Sequence, residues 1–455
     1  MSKIVGIVSL GCAKNQSDTE VLCGYLTEAG MTLTGDVTEA DVVIVNTCSF
    51  ILDARTESLD AIEQMAEEAR RRPADKPLKI IVAGCLPQRY REKMLAELPQ
   101  ADAFMGIDEL PEVVGIIEKL FGKTRSRKPL MAIRKKPQWL ACAETPRARL
   151  TLPHIANVKI AEGCNHGCAF CAIPMIRGRF RSRPVADIVA EVKTLVQKNG
   201  VKEINLIAQD TTYYGMDTWA GTRVGRRTEA DSKHGDSLVT LLKALDKIKG
   251  DFWIRVQYTH PAHWSDELIE VFAKSKHVAK YVDIPLQHIS DKMLASMSRE
   301  TDGAFVRRLL EKIRRGVKDV AIRTSLIVGF PGETDEDFKE LLAFVKDVNF
   351  ERAGVFKYSK EDGTKGATMP HQCSMAMKER RYKTAMEVLK KLSKEQQRSR
   401  VGQKIRVLVD APGIARSEGD AFEVDGIVHV PRHLPVGEFA EVVVSGFSAY
   451  DLIAK

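Results

Sequence analysis

At 455 residues the chain has room for about three domains of roughly 150 residues each. With 44% hydrophobic and 29% charged residues it has the composition of a folded enzyme, which excludes a disordered or fibrous chain. A net charge of +8 permits an anionic partner without demanding one, and no apolar run reaches the ~18 residues of a membrane span.

The first apolar stretch, Ile4–Leu10, is short and runs straight into Lys14-Asn15-Gln16-Ser17-Asp18. That fits a buried strand ending in a turn better than an export signal, so a cytoplasmic protein is expected. Strands are predicted at Ile4–Leu10, Val42–Val45, Ile80–Ala83 and Ala103–Ile107, with helices at Ser17–Ala29, Arg55–Arg71 and Arg89–Leu98 between them. Residues 1–121 thus read as a small open α/β amino-terminal domain, and the basic, irregular stretch 122–149 as a linker.

A second βα series occupies 150–377. Its strand-like segments are Val158–Ala161, Ile204–Gln209, Trp253–Tyr258, Tyr281–Leu286, Ile322–Gly329 and Gly354–Tyr358. Six units predict a partial (βα)6 barrel with its reactive end where the strands finish. Gly215–Gly235 has no periodicity and reads as a surface insertion. Residues 378–400 form a basic linker helix, with nine basic to three acidic side chains. The alternating segments of 401–455 predict a small β-barrel, and its five basic against eight acidic residues predict an acidic module better matched to a basic protein than to RNA.

Nine cysteines without an export signal argue against a disulfide framework. Cys164, Cys168 and Cys171 follow the first barrel strand at spacings of four and three. Structural zinc is almost always four-coordinate and no fourth cysteine is near, while His166 lies inside the tight loop. A 4Fe–4S cluster held by three cysteines, with one iron open to a small molecule, is the better match. Cys12, Cys48 and Cys85 each follow a predicted parallel strand (VSLGC, VIVNTC, IVAGC), so they are expected to converge on the sheet edge where ligands bind. Cys23, Cys142 and Cys373 carry no assigned role.

C-x3-C-x2-C at the end of the first strand of a (βα)6 chain resembles the radical S-adenosylmethionine (SAM) superfamily. The resemblance implies that the open iron binds SAM and that Phe170 lies near its adenine. Taken with Cys12, Cys48 and Cys85, the whole chain resembles the methylthiotransferase family: amino-terminal cluster domain, radical-SAM core and TRAM domain. SLGCAKNQSDTE, NTCSFILDARTES, AEGCNHGCAFCAIPMIRGRFRSRP, PLQHISDKML, IVGFPGETDEDF, KYSKEDGT and SAYDLIAK are similar to the branch that acts on a ribosomal protein. The tRNA branch tends instead to Gln-Met-Asn after its first cysteine, where this chain has Ala13-Lys14-Asn15.

The resemblance implies addition of a methylthio group to the β-carbon of an aspartate in small-subunit ribosomal protein twelve, with two SAM per turnover. It implies a core cluster on Cys164, Cys168 and Cys171 and an auxiliary cluster on Cys12, Cys48 and Cys85. An electron donor is implied, and the basic helix suggests contact with ribosomal RNA. Gln209 and Asp210, after the second barrel strand, and Gly329 and Gly332, after the fifth, are expected to line the SAM pocket. Gln287-His288 sits on the same face. Arg177, Arg179, Arg181 and Arg183 form a basic run that could draw a carboxylate. Two other readings remain: methylthiolation of adenosine in tRNA, and a non-enzymatic nucleic-acid-binding protein with zinc on its cysteines.

Overall fold

The computed structural model describes residues 3–122, 128–221, 224–225 and 227–455. Residues 123–127 of the expected linker, and 222, 223 and 226 of the expected insertion, lie outside them. No helix among the described residues is long and apolar enough to cross a membrane.

The amino-terminal region is one parallel sheet of six strands, in the order Thr32–Thr34, Ile4–Ser9, Val42–Thr47, Lys79–Gly84, Ala103–Met105, Leu130–Ala132. Val42–Thr47 is buried along its whole length, which is why its sequence is a continuous apolar run rather than an alternating one. Helices Ala13–Glu28 and Val113–Phe121 cover one face and Leu52–Arg71 the other, each over its own apolar cluster. The two edge strands, Thr32–Thr34 and Leu130–Ala132, were not expected. Each has three residues, too few for an alternation to register, and the second lies in the stretch read as irregular linker. Nor does one helix span Arg89–Leu98. The helix Cys85–Tyr90 starts directly at the strand end, and Arg91, at φ 47°, breaks it.

The core has six parallel strands in chain order: Ile155–Lys159, Glu203–Ile207, Trp253–Val256, Tyr281–Asp283, Ala321–Val328 and Arg352–Lys357. Between the third and fourth, the Ala279 N–H donates to Ile254 O at 2.9 Å and the Thr259 N–H to Asp283 O at 3.0 Å, so two triplets join into one open barrel. The insertion is not a loose loop. Met216, Trp219 and Ala230 are buried together, and Trp219 Nε1 donates to Asp236 O at 2.7 Å.

The helix Met375–Ser399 packs on the last core strand and leads into a closed five-stranded barrel. That barrel is fastened to the amino-terminal ends of the core strands by buried ion pairs. Glu203 receives Arg255 Nε and Arg416 Nη1, each at 2.7 Å, and Arg416 Nε also donates to Asp410 at 2.6 Å. Arg352 Nε donates to Asp420 at 2.8 Å, Tyr281 Oη to Asp425 at 2.7 Å, and the Lys280 N–H to Glu418 at 2.7 Å. Four of the module's eight acidic residues, Asp410, Glu418, Asp420 and Asp425, are thus turned into the seam, together with the basic Arg416.

Candidate active site

Cys12, Cys48 and Cys85 stand at the carboxyl ends of three adjacent strands, near enough to act on one another electrostatically. Gly11 makes this approach possible. At φ 95° it has a left-handed backbone, and a Cβ there would lie 2.7 Å from Cys48 Cβ. Asn15, fully buried, gathers the three loops. Its Nδ2 donates to Leu10 O at 3.0 Å and Thr47 O at 2.8 Å, while its Oδ1 accepts from Cys85 Sγ at 3.4 Å and from Arg177 Nη2 at 2.7 Å. Burial pushes the Cys85 thiol up to about 12 and raises Cys48 too, so metal binding there must displace thiol protons.

The second triad occupies the loop after Ile155–Lys159. The Cys171 N–H donates to Cys168 O at 3.1 Å, the Ile173 N–H donates to Cys171 Sγ at 3.4 Å, and Arg299 Nη1 lies 3.3 Å from Cys168 Sγ. Donors aimed at sulfur and the mutual proximity of the three thiols suit thiolate ligands of a cluster, whereas burial favours the neutral thiol until a metal replaces its proton. Burial pushes Cys171 up to about 12. The two triads belong to one assembly, since Cys85 packs against Ala172 and Ile176, just beyond Cys171.

His166 is no fourth ligand in this arrangement. Its Nε2 lies 2.7 Å from Asp210 Oδ2 and its Nδ1 3.1 Å from Glu300 Oε1. Burial would depress this imidazole, but the two carboxylates outweigh it and lift its pKa to about 10. The ligand atoms of His166, Asp210, His260 and His263 lie within 4.8 Å of one another, yet the His166 and His260 rings stack at 4.0 Å with 15° between planes. Asp210 and Glu300 thereby brace His166 within the cysteine loop, while the buried Nε2 atoms of His260 and His263 have no hydrogen-bond partner among the described residues. His260, His263 and Glu300 escape the sequence reading because they reach His166 from far along the chain, the first two from the loop after Trp253–Val256 and Glu300 from the connection between the helices Asp291–Ser296 and Gly303–Gly316.

Among the expected SAM contacts, Gln209 donates from Nε2 to Glu162 at 3.1 Å and leaves its buried Oε1 without a partner. A free acceptor there fits an ammonium such as the one SAM carries. Asp210 is shared between His166 and Thr212. Phe170 packs with Phe330, Tyr358 and Met297 beside the loop. Gly332 has open space around its α-carbon, whereas a Cβ on Gly329 would meet Lys378 Cγ at 2.4 Å. His288 is buried and faces Glu333 at 3.3 Å. In the basic run, Arg177 is buried on Asp18 (2.8 Å) and Glu162 (3.1 Å), and Arg183 on Asp187 (2.6 Å) and Glu191 (2.7 Å), so these two are committed inside the fold.

Three family models match: the radical SAM superfamily over residues 158–345, the uncharacterized protein family UPF0004 over 4–106, and the TRAM domain over 401–455. The chain is 51% identical to a "Ribosomal protein uS12 methylthiotransferase RimO" of Akkermansia muciniphila, with 100% of both chains covered. The chain belongs to the RimO family.

RimO proteins of Opitutus terrae (51% identity, 99% of this chain and 96% of that one) and Desulforamulus reducens (41%, 99% of each) agree over the same span. Among solved structures, the radical SAM methyltransferase TsrM of Kitasatospora setae, with cobalamin and a [4Fe-4S] cluster bound, aligns with a TM-score of 0.55. At 14% identity, over 78% of this chain and 75% of that one, it shows a shared fold. As a RimO-family chain this is a radical-SAM transferase, whose cofactors are SAM and [4Fe–4S] clusters.

Proposed function

We propose that the chain adds a methylthio group to the β-carbon of an aspartate in ribosomal protein uS12. One observation carries the reading: two cysteine triads, at the strand ends of two different sheets, are packed together through Cys85, Ala172 and Ile176. In this reading Cys164, Cys168 and Cys171 hold the core cluster, and Cys12, Cys48 and Cys85 the auxiliary one. When bound, the clusters and SAM supply hydrogen abstraction from an unactivated carbon and delivery of a methylated sulfur. The protein's share is positional. Gln209 Oε1 offers an acceptor to the SAM ammonium, Phe170 and Phe330 wall the pocket, and Asp210, Gly329 and Gly332 complete its rim.

Full-length likeness to proteins named for uS12 supports the substrate. The TRAM module supports a contact with RNA as well, since half of its acidic residues, Asp410, Glu418, Asp420 and Asp425, are spent on the seam with the core. A cellular electron donor and a cytoplasmic location belong to the same reading. The test is the intact mass of ribosomal proteins from cells with and without this gene. A mass gain of one methylthio group in place of hydrogen on uS12, only when the gene is present, is expected. Methylthio-adenosine in tRNA with uS12 unmodified would overturn it.

A further inference from the structure

Three lysines of the described chain are buried: Lys14, Lys159 and Lys378. The ammonium of Lys159 is matched by Asp18 and Glu162, and that of Lys378 donates to Tyr358 O at 2.8 Å. Lys14 differs. Its Nζ sits 2.9 Å from the centroid of the Tyr258 ring, and among the described residues no ion pair and no hydrogen bond to it is formed.

The carboxylates around Lys14 are already engaged. Asp283 accepts from Arg323 Nη1 at 2.9 Å and from the Tyr258 N–H at 2.8 Å. Glu162 is held by Lys159, by Arg177 at 3.1 Å and by Gln209 at 3.1 Å. Burial disfavours an ammonium that packs on an aromatic ring and that no carboxylate touches, and an arriving anion would offset that cost.

The place is suited to a substrate. Cys12 and Ala13, the chain neighbours of Lys14, and Tyr258, whose ring it covers, line a cavity of about 500 Å³ between the three domains. Phe422, Glu423 and Val424 of the carboxy-terminal barrel also line it, so it extends from Cys12 to that barrel.

We propose that Lys14 binds the side-chain carboxylate of the residue to be modified, and thereby selects an acidic residue of a protein substrate beside Cys12. The inference rests on the function proposed above. A carboxylate entering a low-dielectric cavity needs a cation to offset its lost hydration, whereas an amide of the same shape does not.

The test uses the full chain reconstituted with iron and sulfide, and two ligands: uS12, and uS12 with its target aspartate changed to asparagine. The wild-type chain is expected to bind the aspartate form more tightly. Lys14→Met should weaken binding of that form roughly thirtyfold or more, as loss of one partner of a buried charge pair does, and leave the asparagine form nearly unaffected. Lys14→Arg, which keeps the cation, should retain the preference. Equal losses on both ligands, or no loss, would overturn the proposal. Iron loss in either variant would do so as well, by placing the cation's work at the cluster. A wild-type chain that modifies neither form fails the underlying functional reading instead.

Discussion

Arg177 of the core and Asn15 of the amino-terminal domain meet across the domain seam, Nη2 donating to Oδ1 at 2.7 Å. Both are buried, and the same Asn15 carries the loops of all three amino-terminal cysteines. The auxiliary triad is thus assembled by a hub that also fixes its position against the core loop. In Asn15→Leu, two backbone carbonyls and one guanidinium lose a partner, at about 1–3 kcal/mol for each buried group left unpaired. Iron in the reconstituted variant should fall from roughly eight to roughly four per chain, with one cluster retained. Full iron content in this variant would show that the triad holds together without the hub.

The division of labour between triads is separable by counting. Cys164→Ala, Cys168→Ala or Cys171→Ala should abolish 5′-deoxyadenosine formation from SAM. The triple variant Cys12→Ala/Cys48→Ala/Cys85→Ala should keep roughly four iron per chain and still form 5′-deoxyadenosine, yet give no methylthiolated uS12. Methylthiolated product from the triple variant would remove the auxiliary assignment.

The seam between core and carboxy-terminal barrel makes a pH prediction. Burial alone would raise Glu203, but Arg416 and Arg255 outweigh it and hold its pKa below the usual carboxylate range. Asp410 is lowered likewise by His154 and Arg416, and Asp420 by Arg352 and Ser417. A folded pKa below the unfolded one means stability that is present above about pH 4 and lost as pH falls through the folded values. Asp425, raised by burial, runs the other way and offsets part of this. Arg416→Met should cost about 3–5 kcal/mol at neutral pH, because Glu203 and Asp410 stay buried with less compensation. Denaturation at pH 7 and at about pH 2, well below the unfolded carboxylate pKa values, checks it: the wild type should lose more on acidification than the variant.

Legibility of the sequence tracked chain locality. The Cys164–Cys171 loop is a contiguous motif, and the strand-end cysteines stand out because each follows an apolar run such as VVIVNT. Strands of three residues left no period to read, as at Leu130–Ala132. Surface charge was the least legible property. Asp410, Glu418, Asp420 and Asp425 count as acidic in the sequence, but their partners Arg416, Lys280, Arg352 and Tyr281 lie mostly in another domain. The grouping of His166 with His260, His263 and Glu300 was invisible for the same reason, being drawn from loops far apart in the chain.

Gly329 separates a packing role from a ligand role. A Cβ there would lie 2.4 Å from Lys378 Cγ, and the residue's φ is 74°. Lys378 cannot simply swing aside, since its Nζ is tied to Tyr358 O at 2.8 Å. The Gly329 N–H in turn donates to Glu333, which Arg381 Nη1 holds at 2.8 Å, so the turn is anchored from both sides. Gly329→Ala should therefore combine backbone strain, about 1–3 kcal/mol, with the clash. At Gly332, with open space and φ 80°, alanine should cost the strain alone. Adding Lys378→Ala to Gly329→Ala should relieve the clash, so the pair should be less destabilising than the sum of the single variants in a double-mutant cycle of denaturation. SAM affinity, measured on the same four proteins, decides the second role. If Gly329 also gives SAM close access to the backbone, affinity stays low in the double variant; if the glycine serves only Lys378, affinity recovers along with stability.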